Sequence, residues 1–274
     1  MRKRPRAASA EPEAELAAPV APASVPNLFV GTSGWAYPTW KPEFYPPGLA
    51  QKRFLGYYAS QLSTVEVNYT FRALPTPKML ADWLSATPAS FRFSFKAPQR
   101  ITHFSRLRDA GPHVLQLLAA LEPVRAAGRL GTLLIQLPPS FKADTGLLTD
   151  FLSLPSFAGP QAPKLSFEFR HASWLVEPVF DVLHQHNAAL CVAHAGDEPG
   201  DLEVPEVHTA ATHTSFRLRR SGGYTAAELA AHARHMLELA RDREVYVALR
   251  HEDEPTGALN ARQLLAFASS GQSA

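Results

Sequence analysis

Glu168 and Arg170 are the residues of this sequence whose types and spacing most clearly suit chemistry. They lie in the stretch 164–174, in which large apolar residues alternate with polar ones from Leu165 to Arg170. Strict alternation is typical of a β-strand, because successive side chains point to opposite faces. A carboxylate can act as a general acid or base, and a guanidinium binds carboxylate or phosphate through paired hydrogen bonds. The stretch therefore predicts a strand with a reactive acid and an anion-binding group on one face.

Four further stretches place polar side chains on the face opposite their apolar residues. If the apolar faces pack on helices, the polar faces line the interior of a barrel. Isolated charges are costly to bury, so an inward set of charges indicates partners or a functional site. The inward residues are Glu66 and Asn68; Arg92, Ser94 and Lys96; Gln136; and Arg217 and Arg219.

The elements that carry these residues recur about every thirty positions. Alternation of strands with helix-like segments favours a parallel sheet, and eight such units in about 245 residues favour a TIM-like (β/α)8 barrel. The sixth crossover, residues 195–212, has turn residues and little periodicity, so its helix is expected to be degenerate or absent. The predicted strands are Leu28–Gly31, Thr64–Asn68, Phe91–Lys96, Thr132–Gln136, Leu165–Phe169, Ala189–Ala193, Ser215–Leu218 and Val245–Leu249.

Local signals mark the intervening helices. Thr76 followed by Pro77 is typical of a helix start, and Thr225 with Glu228 forms a capping-box sequence. The alanine- and leucine-rich run that follows Thr225 is the strongest predicted helix and ends near Leu239. Residues 52–62, 112–121 and 177–186 also have helical periodicity.

Composition excludes several classes of protein. The chain has 274 residues, of which 46% are hydrophobic and 19% charged, and a net charge of +2. This balance gives no strong basic footprint for nucleic acid, and no run approaches the ~18 apolar residues of a membrane span. The single cysteine, Cys191, excludes internal disulfides and fits a cytoplasmic protein. Residues 1–26, rich in alanine and proline, are expected to be a disordered tail before a barrel domain over 27–270.

The inward groups suggest roles in binding or transforming a small anionic or sugar-like ligand at the C-terminal mouth of the barrel. Glu168 is the candidate general acid or base, and Lys96 would orient an oxyanion or form a Schiff base. Glu66 is the third predicted catalytic residue. Aromatic residues of the loops would stack on a ring, and other polar groups would position hydroxyls or bind charge. The predicted ligand-binding residues are Trp35, Tyr37, Asn68, His103, Gln136, Arg170, Trp174 and Arg217.

Three other interpretations remain open at the level of sequence. The charges could form a structural network, with Glu66 paired to Lys96 or Glu168 to Arg217. A metal-dependent isomerase or hydrolase could use Glu66, Glu168, His194 and His251, although no tight ligand spacing is present and no cofactor is required. A non-catalytic protein could bind nucleic acid through its basic tail and Arg219–Arg220. The oligomeric state is not predicted.

Several motifs together resemble the domain of unknown function 72 (YecE-like) family over roughly residues 28–268. The resemblance implies a TIM-like barrel and a fold-level relation to sugar isomerases, and it assigns no reaction. The matching motifs are Gly31–Tyr37 with Trp40 and Phe44–Pro46, Thr64–Asn68 with Thr70–Phe71, Phe95–Pro98 with Ile101–His103, Gly131 with Gln136–Phe141, and Phe167–His171 with Ser173–Trp174, while Tyr224 and Asn260–Ala261 match more weakly.

The sequence departs from the usual family pattern at four positions of the presumed mouth. Arg72, Arg219 and Arg250 replace residues that are commonly different, and His194 stands where an aspartate is usual. The ligand is therefore expected to differ from that of typical members.

Overall fold

A closed barrel of eight parallel strands forms the centre of the protein, with each strand hydrogen-bonded to the next and β8 to β1. The structure is a computed structural model, and it describes residues 22, 25–194, 196, 202–250 and 254–271. The strands are β1 Leu28–Thr32, β2 Thr64–Val67, β3 Arg92–Lys96, β4 Leu130–Gln136, β5 Lys164–Glu168, β6 Ala189–Ala193, β7 His213–Leu218 and β8 Glu244–Leu249. The predicted (β/α)8 architecture is confirmed.

Helices connect successive strands around the outside of the barrel. Their bounds are α1 Phe54–Gln61, α2 Pro77–Ser85, α3 Gly111–Ala120, α4 Glu122–Ala126, α5 Thr145–Leu152, α6 Glu177–Gln185, α7 Ala226–Leu239 and α8 Thr256–Gly271. Within the described residues of the sixth crossover, namely 194, 196 and 202–212, there is no helix, as predicted. Residues 1–21 and His251 lie outside the described part of the chain.

The local helix signals are confirmed by the capping contacts. The Thr76 hydroxyl accepts a hydrogen bond from Met79 N at 3.2 Å at the start of α2. At the start of α7, Thr225 and Glu228 make the reciprocal bonds of a capping box. These bonds satisfy backbone groups that the first helical turn leaves without partners.

The apolar faces of the strands pack against the helices. Val65, Phe93, Phe95 and Phe167 are completely buried there. Each such phenylalanine contributes about 1.5–3 kcal/mol by leaving water, so this layer fixes which face of every strand turns outward. The polar side chains of alternate positions are thereby directed into the barrel.

The barrel interior is polar and changes in character from one end to the other. At the N-terminal end, Lys164 pairs with Glu244 at 3.0 Å, and the Tyr246 hydroxyl donates to Glu244 at 2.6 Å. Above them, small hydroxyl side chains such as Thr64 and Thr132 surround a cavity of about 20 Å³, which has room for about one water molecule. The charged residues lie above this cavity, toward the C-terminal ends of the strands, where the candidate site is built.

None of the helices within the described ranges combines the length and the apolar character that crossing a bilayer requires.

Candidate functional site

Arg217 is the centre of a buried ion cluster at the C-terminal end of the barrel. Its Nη2 lies 2.8 Å from Glu66 Oε1, and its Nη1 donates to Glu168 Oε2. Arg219 Nη1 contacts Glu168 Oε1 at 3.1 Å, and Gln136 Nε2 donates to Glu168 Oε2 at 2.8 Å. Both carboxylates predicted to be catalytic are thus brought together, and both are held by arginine.

Glu168 is fixed in its ionised form by these contacts. Burial by itself would raise its pKa, but the guanidinium groups of Arg217 and Arg219 and the Gln136 amide outweigh burial and lower the pKa to about 2. The side chain is almost completely buried, and both of its oxygens accept charge-assisted hydrogen bonds. A carboxylate held in this way orients its neighbours and supplies negative charge, and it is poorly suited to exchanging a proton near neutral pH.

Lys96 lies at the end of β3 on the same inward face and has a different environment. Its Nζ sits 4.4 Å from the centroid of the Phe71 ring. Within the described part of the chain, no hydrogen bond or ion pair reaches this nitrogen, and Glu66 is paired with Arg217. Burial, followed by the positive charge of Arg217, lowers the pKa of Lys96 to about 8, while Glu66 and Glu168 oppose the shift. The residue remains partly exposed.

The loops after β2 and β3 place aromatic groups around Lys96. The His103 ring meets the Phe71 ring edge-on, with 4.9 Å between centroids, and His103 Nδ1 lies 2.8 Å from the Thr102 hydroxyl. Burial and the charge of Lys96 lower the pKa of His103, which favours the neutral imidazole. On the same two loops, Tyr69 and Phe104 are 48% and 69% exposed, and sequence reasoning had given neither of them a role. Exposed aromatic rings beside polar groups often mark an interaction surface, and this exposure is visible only in the structure.

The loop that carries His103 also holds unusual backbone conformations. Arg106, Leu107 and Asp109 have φ angles of 48°, 69° and 48°. Residues other than glycine adopt this left-handed region at a cost of order 1–3 kcal/mol each, and such strain tends to collect at binding sites. Arg106 helps to hold the loop, since its Nη2 donates to the Ser140 hydroxyl at 3.1 Å.

The other polar residues predicted to bind ligand have mixed surroundings. Gln136 is buried and committed to Glu168. Asn68 Nδ2 donates to Ser33 O at 3.1 Å, while its buried Oδ1 has no hydrogen-bond partner among the described residues. Arg170 is half-buried at the end of β5 and lies near enough to affect the pKa of Lys96. Asn68 and Arg170 therefore remain in the candidate site, whereas Gln136 acts through Glu168.

Of the three aromatic loop residues Trp35, Tyr37 and Trp174 that were predicted to bind ligand, Trp174 is completely buried and the other two are half-buried. Trp174 is completely buried; its ring stacks on Phe169 at 4.7 Å, and its Nε1 donates to Phe141 O. It therefore has no exposed face for a ligand in this structure, because the loop after β5 folds back onto the outer side of the strand. Trp35 packs edge-on against Trp83 and is half-buried.

Tyr37 is also half-buried, and its ring lies 4.9 Å from that of the buried Trp40. Among these aromatic residues, Trp35 and Tyr37 retain exposed surface. Trp174 is left out of the site that we propose below.

The positions that depart from the family pattern have distinct environments. Arg219 joins the ion cluster through Glu168. Arg72 is exposed, and Arg250 is half-buried at the end of β8. His194 packs against His232, with 5.2 Å between ring centroids. Among the described residues, no three His, Cys, Asp or Glu side chains converge in a way that could hold a metal ion.

Comparison with known proteins assigns this architecture to a family. The sequence profile described as "Protein of unknown function DUF72" matches residues 29–273. The chain belongs to the DUF72 family. This DUF72 protein resembles UPF0759 protein YunF of Bacillus subtilis, with 25% identity over 268 aligned positions that cover 87% of this chain and 93% of that relative.

Two further similarities are consistent with this membership. UPF0759 protein YecE of Escherichia coli (strain K12) is 33% identical over 114 residues, and this match spans 42% of the DUF72 chain but only 39% of the relative's length. The crystal structure of a DUF72 family protein from Thermotoga maritima superposes with a TM-score of 0.73 and 26% identity, covering 88% of this chain and 98% of that one. The names of these proteins state no ligand or activity.

Proposed function

We propose that the C-terminal mouth of the barrel binds a small anionic, hydroxylated ligand, with Lys96 as its principal charged contact. The observation that carries the proposal is the position of Lys96: an inward, largely buried ammonium group whose nearby carboxylates are already paired with arginine. A buried charge without a partner costs free energy. A ligand carboxylate or phosphate would recover this free energy by supplying the missing negative charge.

The balance of charge around Lys96 supports an anion over a cation. The cluster formed by Lys96, Arg217, Arg219, Glu66 and Glu168 contains three cations and two carboxylates, which leaves a formal charge of +1. Arg170 lies near enough for its charge to lower the pKa of Lys96. The same excess of positive charge would repel a divalent metal, so the metal-dependent alternative gains no support.

The polar and aromatic neighbours suggest how hydroxyl groups and a small carbon skeleton would be held. Asn68 Oδ1 is a buried acceptor that a ligand hydroxyl would satisfy. Phe71 and His103 offer ring surfaces beside Lys96. Glu66 and Glu168 keep Arg217 in place and thereby fix the positive potential of the mouth.

Calorimetric titration at low ionic strength with gluconate, inorganic phosphate and neutral glucose tests the proposal. We expect Lys96→Met to weaken binding of the anions by about 10- to 100-fold, because a hydrogen bond to a charged group contributes ~1.5–3 kcal/mol. Lys78→Met is the matched control, since Lys78 is an exposed lysine on α2 whose side chain is 83% accessible. Absence of anion binding, or equal weakening in both variants, would remove the proposal.

A further inference from the structure

We propose that Lys96 is also a nucleophile, which binds small anionic aldehydes or ketones covalently as a Schiff base. This inference rests on the proposed function, because the same positive potential would deliver the anionic group of the ligand to the mouth. It goes further by assigning a reactive carbonyl to that ligand and a bond-forming role to one nitrogen atom.

The geometry around Lys96 combines features that an amine nucleophile requires. The side chain projects from the C-terminal end of a barrel strand, the end at which barrel enzymes build their active sites. Its Nζ lies over the Phe71 ring, and among the residues that the structure describes no ion pair holds the proton on the amine. The side chain is not completely buried. Desolvation and neighbouring cations are the two means by which proteins keep such a lysine neutral.

The charged and titratable groups around Lys96 act in opposite directions. Arg217 on β7 and Arg170 beyond β5 disfavour the ammonium form, whereas Glu66 on β2 and Glu168 on β5 favour it; His103, on the loop after β3, stays neutral. With burial included, the pKa of Lys96 falls to about 8. Compared with an ordinary lysine at 10.5, its neutral fraction at pH 7 is then ~300-fold larger.

The chemical step is balanced without any other reactant. Nζ gives up one proton, and its lone pair attacks the carbonyl carbon while the electrons of the C=O double bond move to oxygen. That proton and one further proton from nitrogen end on the oxygen, which leaves as water. A protonated imine and one water molecule are the products, so no oxidant or reductant takes part. Hydrolysis by the reverse path releases the ligand.

Reductive trapping tests this step. The full-length protein is incubated with glyoxylate, an anionic aldehyde, or glycolaldehyde, an uncharged one, in the presence of cyanoborohydride, and peptide mapping locates the alkylated amines. At pH 7 to 8 we expect Lys96 to be labelled at least 10-fold faster than the exposed Lys78, and faster by glyoxylate than by glycolaldehyde. Mapping also separates Lys96 from the N-terminal amine, whose ordinary pKa of ~7.7–8.0 is similar.

Two variants separate this inference from the proposed function. Lys96→Arg keeps the positive charge and removes the nucleophile, so it should retain binding of gluconate and phosphate and lose the label at position 96. Lys96→Met should lose both. Labelling of Lys96 no faster than Lys78 in a protein that still binds anions would overturn the Schiff base and leave anion binding intact. Rapid labelling of Lys96 without any anion binding would instead overturn the proposed function.

Discussion

Replacing Lys96 with methionine measures how much stability the fold loses by keeping an ammonium group inside the barrel. The pKa of Lys96 is lowered from 10.5 to about 8, mainly by burial. Each pH unit corresponds to 1.36 kcal/mol, so the charged form is disfavoured in the folded state by about 3 kcal/mol. Methionine has a similar length and no charge. We therefore expect Lys96→Met to raise the free energy of unfolding at pH 7 by about 2–3 kcal/mol, after subtracting the lost contact with Phe71.

The lowered pKa of Lys96 also determines how the stability difference between the two proteins changes with pH. Between pH 8 and 10.5 the unfolded chain binds more protons at this lysine than the folded chain, so the stability of the wild-type protein rises with pH across this window. Below pH 8 the penalty is fully present. The advantage of the methionine variant should therefore be largest at pH 7 and should shrink toward zero as the pH approaches 10.5.

Urea unfolding of both proteins at several pH values provides the assay. At pH 7 the expected gain corresponds to a rise in Tm of about 5–10 °C for a domain of this size. Lys78→Met should change stability by less than about 0.5 kcal/mol, because its pair with Asp82 is an exposed contact along one helix. A destabilised Lys96→Met, or a difference that is the same at pH 7 and pH 10, would refute the argument that this buried charge is uncompensated.

Two further predictions concern groups whose protonation is fixed by the fold. Glu168→Gln should lower the free energy of unfolding at pH 7 by about 3–5 kcal/mol, since it leaves Arg217 and Arg219 facing a neutral amide. Glu122→Gln, at an exposed position, serves as its control in chemical unfolding. A loss below about 1 kcal/mol for Glu168→Gln would contradict the free energy that we assign to the ion pairs of Glu168. His213 is buried with a pKa lowered to about 4, chiefly by desolvation, so the unfolded chain binds the extra proton first on acidification. The wild-type protein should lose about 3 kcal/mol between pH 6.5 and 4 from this residue, and His213→Gln should remove that part of the acid sensitivity; identical pH profiles of the two proteins would count against it.

Much of the candidate site could be predicted from alternation alone. The alternation of apolar and polar residues along β2, β3, β5 and β7 predicted that Glu66, Lys96, Glu168 and Arg217 point into the barrel. The structure places all four side chains in the barrel interior. This alternation predicts the inward face reliably because it follows from the two-residue repeat of a strand and from the free energy of burying the apolar face. The helix starts at Thr76 and Thr225 were equally predictable, since capping involves residues only three positions apart.

Only part of the charge pairing could be read from the sequence: the expected pair of Glu168 with Arg217 forms, whereas Glu66 pairs with Arg217 and not with Lys96. Pairing Glu66 with Lys96 was as reasonable as pairing it with Arg217, which is 151 residues away. Trp174 was expected at the rim because it follows a strand, yet it stacks on Phe169 outside the barrel.

The sequence by itself determined the strand count, five of the crossover helices (α1, α2, α3, α6 and α7) and the set of side chains that enter the barrel, because these depend on local periodicity. Only the tertiary structure decided that Arg217 reaches both carboxylates, so that neither of them pairs with Lys96. That outcome depends on the stagger of the strands around the closed barrel, which sets the height of each side chain relative to those across the interior. No local pattern contains this stagger, and it is what turns an inward lysine into a candidate reactive group.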